Sequence, residues 1–196
     1  MEETKRIIDF IHYAEKLKTE LRHATRSDSQ RESVADHSWR LILFLILVAP
    51  KLTLKIDLLK AMKMAAIHDI TEIDAKDIPA LEHINNKKIS DKKKKDEKRA
   101  IEKIKKKLAK NGQEIYDLWQ EFEDSKTNEA KLVKALDQLE GELQFLQDPV
   151  REFKQEEQAS IVLLLERTTK FCKIDPFLEK LDKISLNDRK KRVLPK

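Results

Sequence analysis

Apolar residues recur along most of this chain at spacings of three and four, the period of a helix with one buried face. The clearest run is Leu132, Leu136, Leu139, Leu143 and Leu146, preceded by Thr127, a residue suited to cap a helix start. The same reading predicts helices at about 3–22, 34–50, 55–70, 90–111, 112–124, 127–147, 152–170 and 175–183. Breaks between them are signalled by Ser27-Asp28-Ser29, Pro50, Pro79, Asn111-Gly112, Asp148-Pro149 and Asp175-Pro176. No internal repeat is apparent, so the expectation is an all-α fold built as a single-domain helical bundle.

Composition supports that expectation. Only two glycines among 196 residues, with 40% hydrophobic and 39% charged residues, suit apolar helical stripes backed by solvated charge; a β-rich fold would want more turn glycines and β-branched alternation. The length allows one domain with a substantial core, whereas two domains would each be small. Residues 1–150 are expected to form the core, and 151–196 a helical extension packed on the same domain with a basic tail. The start Met1-Glu2-Glu3-Thr4-Lys5-Arg6 lacks the basic-then-apolar order of a secretory signal, and the run from Leu41 to Ala49 is far short of the roughly 20 residues that cross a bilayer. A single cysteine, Cys172, excludes an intrachain disulfide and suits a reducing compartment, so a cytoplasmic protein with no membrane partner is expected. Cys172 has no obvious partner base and reads as a structural thiol.

The net charge of +5 hides an asymmetry. Residues 87–110 hold twelve lysines and Arg99 against four acids, a local balance of +9, which leaves −4 for the rest. Such a block could steer an anionic substrate or contact nucleic acid. Because Ile101, Ile104 and Leu108 recur through it at helical spacing, the lysines read more simply as the solvated face of an amphipathic helix, and nucleic acid is not the favoured partner.

Candidate chemistry gathers at three places. His68-Asp69 stands where the apolar run Leu58, Leu59, Met62, Ala65, Ala66 breaks into the acid-rich stretch from Ile70 to Pro79. His37 opens another apolar run, and Asp137 interrupts the leucine stripe at its margin. Two imidazoles and two carboxylates suffice to hold a divalent ion. Adjacent helical residues project about 100° apart, so His68 and Asp69 can share one ion only beside a helix end or groove. The alternatives are a salt bridge for Asp137 and a packed or capping role for His37. His12, His23 and His83 lack comparable context, although His23 is placed to border a substrate pocket.

The words around these residues carry a resemblance. Arg31-Glu32-Ser33-Val34-Ala35-Asp36-His37-Ser38-Trp39, the stretch His68-Asp69-Ile70-Thr71-Glu72 through Asp77, Leu118-Trp119-Gln120-Glu121-Phe122-Glu123 and Lys131-Leu132-Val133-Lys134-Ala135-Leu136-Asp137 resemble segments of the HD-domain metal phosphohydrolases, in the branch containing bacterial 5'-deoxynucleotidases. The similarity covers roughly residues 5 to 150. It implies an HD-type helical bundle, one divalent cation (Mn, Co, Fe, Ni, Mg or Zn) held by His37, His68, Asp69 and Asp137, and release of phosphate from (deoxy)nucleoside 5'-monophosphates by a homodimer. Glu72, three residues after Asp69, is the candidate to orient or deprotonate the attacking water, and Asp77 to protonate the leaving oxygen or hold the sugar. Arg22, fifteen residues before His37, is the candidate phosphate contact, with Arg26 and Arg31 as alternatives. Competing functions are hydrolysis of another nucleotide (a triphosphate, cyclic nucleotide or alarmone) and a non-enzymatic module that binds nucleotide or nucleic acid through the lysine block. One departure stands out: relatives usually carry glycine at the position of Lys76, and lysine resists backbone conformations open to glycine.

Overall fold

A computed structural model describes residues 2–148 and 154–193. Helix α1 (Glu2–Ala14) gives way to a 3-10 turn at Glu15–Lys18 and then to a hairpin of β1 (Leu21–Thr25) and β2 (Arg31–Ser33), with Leu21 opposite Ser33 and Thr25 opposite Arg31. The helix predicted through residue 22 therefore stops short. Its continuation as a strand is stabilised by partners outside the segment: Gln144 donates to the Thr25 carbonyl at 2.7 Å, Asp148 accepts the Thr25 N–H at 3.1 Å, and Arg31 of the neighbouring strand donates to the carbonyls of Leu21 and Arg22 at 2.8 Å each.

The remaining elements are helices: α2 (Val34–Val48), α3 (Leu58–Ile67), α4 (Glu72–Ala75), α5 (Ala80–His83), α6 (Lys87–Leu108), α7 (Gly112–Asp124), α8 (Asn128–Gln147), α9 (Gln158–Cys172) and α10 (Pro176–Val193). Their starts follow local chemistry. Ser33 and Asp36 form a capping box on α2, Asp57 accepts the Lys60 N–H on α3, and Thr127 accepts the Ala130 N–H on α8. The helix predicted at 55–70 is interrupted at His68, and α10 runs on beyond the predicted 183. Residues 152–153 of the predicted seventh helix and 194–196 of the basic tail lie outside the described residues.

Helix α8 is the centre of the bundle, packed by α2, α3, α7, α9 and α10. Leu41, Leu45, Met64, Leu132, Leu136 and Leu139 are fully buried in one cluster that also takes in Cys172 and Leu178 from the C-terminal helices. Each fully buried side chain of this size contributes about 1.5–3 kcal/mol. A second cluster, with Phe10, Ile73, Ile101, Ile104 and Trp119, holds α1, α4, α6 and α7 together. Gly112 lets α7 start hard against α6, since a Cβ there would stand 2.3 Å from the Lys105 carbonyl oxygen. Arg189, within the basic end of the chain, is buried between Glu142 on α8 and Asp182, which anchors α10. No helix of the described residues is long and apolar enough to cross a membrane.

Candidate active site

Three helices bring the predicted ligands to one point. The capping box places His37 in the first turn of α2, where it is fully buried. Where α3 ends, His68 turns back to its own helix and bonds the Ala65 carbonyl through Nδ1 at 2.8 Å. Asp69 follows it, and Asp137 enters from the middle of α8. His37 Nε2 lies 3.3 Å from His68 Nε2, 3.0 Å from Asp137 Oδ1 and 3.9 Å from Asp69 Oδ2. His68 Nε2 lies 3.1 Å from Asp69 Oδ2 and 3.7 Å from Asp137 Oδ1. His37, His68 and Asp69 offer atoms mutually close enough to share an ion. Bonds of about 2.0–2.2 Å to a first-row divalent ion put neighbouring donor atoms about 2.8–3.6 Å apart, so the cluster has the right size.

Its electrostatics point the same way. Burial and Arg22 push the His37 pKa down, yet Glu140 and Asp137 outweigh them and lift it to about 9. Burial likewise opposes, but does not prevent, a rise at His68 driven by Asp69 and Asp137. Both aspartates are held well below the usual carboxylate range by the imidazoles, against burial. The carboxylates thus demand positive charge between them. A divalent cation would meet that demand on the Nε2 and carboxylate oxygens, because both Nδ1 atoms are already engaged, by Ala65 in His68 and by the Glu140 carboxylate in His37.

His68, Asp69 and Asp137 line the floor of a cavity of about 520 Å³, with His37 buried behind them. Glu72 lines it, although not on a continued α3: residues 68–71 make a turn, and the Glu72 N–H donates to the Asp69 carbonyl at 3.0 Å. Burial, reinforced by Asp69 and opposed by Lys93, pushes the Glu72 pKa up to about 8. Its Oε2 is buried without a hydrogen-bond partner among the described residues. Arg22 sits beside the floor, 3.4 Å from Asp69 Oδ2 and 3.1 Å from Glu32 Oε2. Its two alternatives face elsewhere, Arg26 towards Asp28 and Asp36, Arg31 towards strand carbonyls.

Asp77 also reaches the cavity, and Lys76 explains how. Lys76 adopts φ 70° and ψ 149°, a conformation that favours glycine and costs about 1–3 kcal/mol in other residues. The ammonium of Lys76 pairs with Glu20 at 2.6 Å, and the other oxygen of Glu20 accepts the Asp77 N–H at 3.2 Å. Glu20 thereby holds the strained turn and the Asp77 backbone together, and the Asp77 carboxylate meets His23 Nδ1 at 3.2 Å. The departure from glycine leaves Asp77 at the cavity.

Sequence reasoning missed several contributors. Glu140, three residues after Asp137, bonds His37 and Arg40; that spacing on one helix face was the only local signal. Lys93 belongs to the lysine block expected to be solvated, and corrects that reading for one residue: α6 crosses the cavity at this turn, so Lys93 is largely buried, 3.4 Å from Glu72 and 2.8 Å from Glu97. His83, Lys134 and Arg167 also line the wall, from elements far apart in sequence.

Comparisons with known proteins agree with this geometry. A family profile for the HD domain matches residues 14–175. The 5'-deoxynucleotidase HDDC2 of Dictyostelium discoideum is 40% identical over 119 residues, 58% of this chain and 60% of that protein; its counterpart from Xenopus laevis is 35% identical over 62% and 58%. The match thus spans well under two thirds of these relatives. A crystal structure of a predicted metal-dependent phosphohydrolase from Magnetospirillum magnetotacticum superposes with a TM-score of 0.82 over 98% of this chain and 96% of that one, at 27% identity.

Proposed function

The chain belongs to the HD-domain family, and from that premise we propose that it is a metal-dependent phosphohydrolase that releases phosphate from deoxynucleoside 5'-monophosphates. The observation that carries this reading is the clustering of His37, His68, Asp69 and Asp137, three of which line a nucleotide-sized cavity. These four hold one divalent ion, of the Mn, Co, Fe, Ni, Mg or Zn group. When bound, such an ion offsets phosphate charge and makes water acidic enough to attack near neutral pH. The resemblance to HDDC2 proteins supports the deoxynucleotide.

The chain's own residues do the rest. Arg22 presents a guanidinium to two phosphate oxygens, and its bond to Asp69 keeps that fork next to the floor. Glu72 takes the proton of the attacking water as the phosphorus–oxygen bond forms, a role its place on the cavity wall three residues after Asp69 allows. Asp77 supplies a proton to the leaving sugar oxygen, with His23 as its hydrogen-bond partner. Ile78, Pro79, Leu81 and Leu164 provide an apolar wall for the nucleoside.

Phosphate release across nucleoside mono-, di- and triphosphates with several divalent ions tests the proposal. Deoxynucleoside monophosphates should turn over fastest. Equal rates on ribose and deoxyribose remove the sugar preference, and turnover of triphosphates, cyclic nucleotides or alarmones alone moves the enzyme to that substrate.

A homodimer is part of the same proposal. Trp39, Leu43 and Leu47, four residues apart on α2, are exposed on one face, an apolar stripe of the kind that marks a protein contact. Light scattering should give the mass of two chains; a single chain's mass would sink this element. A reducing, cytoplasmic setting is also proposed, supported by the lone buried thiol of Cys172.

A further inference from the structure

The cavity wall is unevenly balanced in charge. Each of its carboxylates has a cationic partner: Asp69 and Asp137 meet Arg22 and the two imidazoles, and Glu72 and Glu97 share Lys93. Asp77 pairs with His23, Glu123 with Lys134, and Glu142 with Arg189. Two cations on the same wall are left over. Lys94 on α6 and Arg167 on α9 meet no carboxylate within ion-pair distance among the described residues; Arg167 lies over the Phe171 ring at 5.5 Å.

His83 on α5 is half-buried on that wall, and after burial the charges of Lys93 and Arg167 are the main causes that push its pKa down, against Asp77. Its pKa lowered, the His83 imidazole adds a hydrogen-bonding group to the wall that Lys94 and Arg167 also line. On either side of Lys94, α6 carries exposed Lys87, Lys88, Lys92 and Lys95 against Asp91 and Asp96, which leaves a net positive charge on this stretch of the helix. An arginine fork is matched to the oxygens of a phosphate, and a lysine without a carboxylate partner on the same wall adds a second positive charge for that anion.

We propose that Lys94, His83 and Arg167 form a second anion subsite, which takes a phosphate of the substrate other than the one hydrolysed. Resting on the hydrolase reading above, it adds to the 5'-monophosphates a preferred class of substrate, the same 5'-phosphorylated nucleotide carrying a second, separate phosphate. The second could be the terminal phosphate of a nucleoside 3',5'-bisphosphate or the internal diester of a 5'-phosphorylated dinucleotide; both present the same anionic oxygens.

The test compares KM for a deoxynucleoside 5'-monophosphate, the matching 3',5'-bisphosphate and a 5'-phosphorylated dinucleotide at fixed ionic strength. At least one doubly phosphorylated substrate should show a KM lower by about tenfold, the scale of one charge-assisted contact. Whichever of the two gains more identifies the source of the second anion. Arg167→Ala and the independent surface variant Lys94→Ala should each erase most of that advantage, with Arg167→Lys keeping part of it. Equal KM values for all three substrates overturn the proposal, as does a variant that raises all three alike. Calorimetric binding of the same ligands to the parent protein separates the two readings: tighter binding of a doubly phosphorylated ligand without turnover of any sinks the hydrolase, whereas turnover without a KM or affinity difference sinks the subsite.

Discussion

Asp69→Ala is expected to empty the ion site and to abolish hydrolysis while the bundle stays folded. The parent protein should carry about one divalent ion per chain after metal loading, and the variant close to none. Asp69 faces His37, His68 and Arg22 at once, so its removal takes away one of the two carboxylates that draw positive charge to the floor. An ion that stabilises developing phosphate charge is worth several kcal/mol, so turnover should fall by about 10³-fold or more. Circular dichroism guards against the trivial outcome, because the side chain lies outside the leucine cluster that holds α8 to α2 and α3. Chelation of the parent should reproduce the loss, and re-addition of metal should reverse it. Unchanged metal content in the folded variant would end the four-ligand proposal.

Changing Glu72 should separate chemistry from metal binding. Glu72→Ala is expected to keep the ion and the fold and to lose about 10²- to 10⁴-fold in turnover, the usual contribution of a positioned acid or base. KM should change much less. The fold should tolerate the change because Lys93, the cation facing Glu72, retains Glu97 as a partner 2.8 Å away. Loss of the ion would instead make Glu72 a ligand or the support of one. Full activity would return it to an ordinary buried acid, and a parent with no metal-dependent turnover would favour a binding module.

Much of the helical framework was legible from the chain alone. The stripe from Leu132 to Leu146 and the caps at Ser33 and Thr127 are local signals, and the helices they predict form close to their expected limits. The first helix shows where such reading stops. Nothing within residues 19–25 announces a strand, because the groups that satisfy its backbone come from Arg31, Gln144 and Asp148. Glu72 makes a similar point: its cavity position was inferred from a continuous helix, but a turn delivers it instead.

By itself the sequence determined the helical class and the residue types that converge at the cavity floor, since periodicity, capping and donor chemistry are properties of neighbouring residues. Tertiary structure alone decided that Glu140 takes the free Nδ1 of His37, that Lys93 leaves its solvated neighbours to face Glu72, and that Lys76 is held in a glycine-like conformation by Glu20. The physical reason is common to all three. Burial and charge pairing depend on which distant segments pack together, and a side chain's partner across the bundle leaves no trace in the spacing of its own helix.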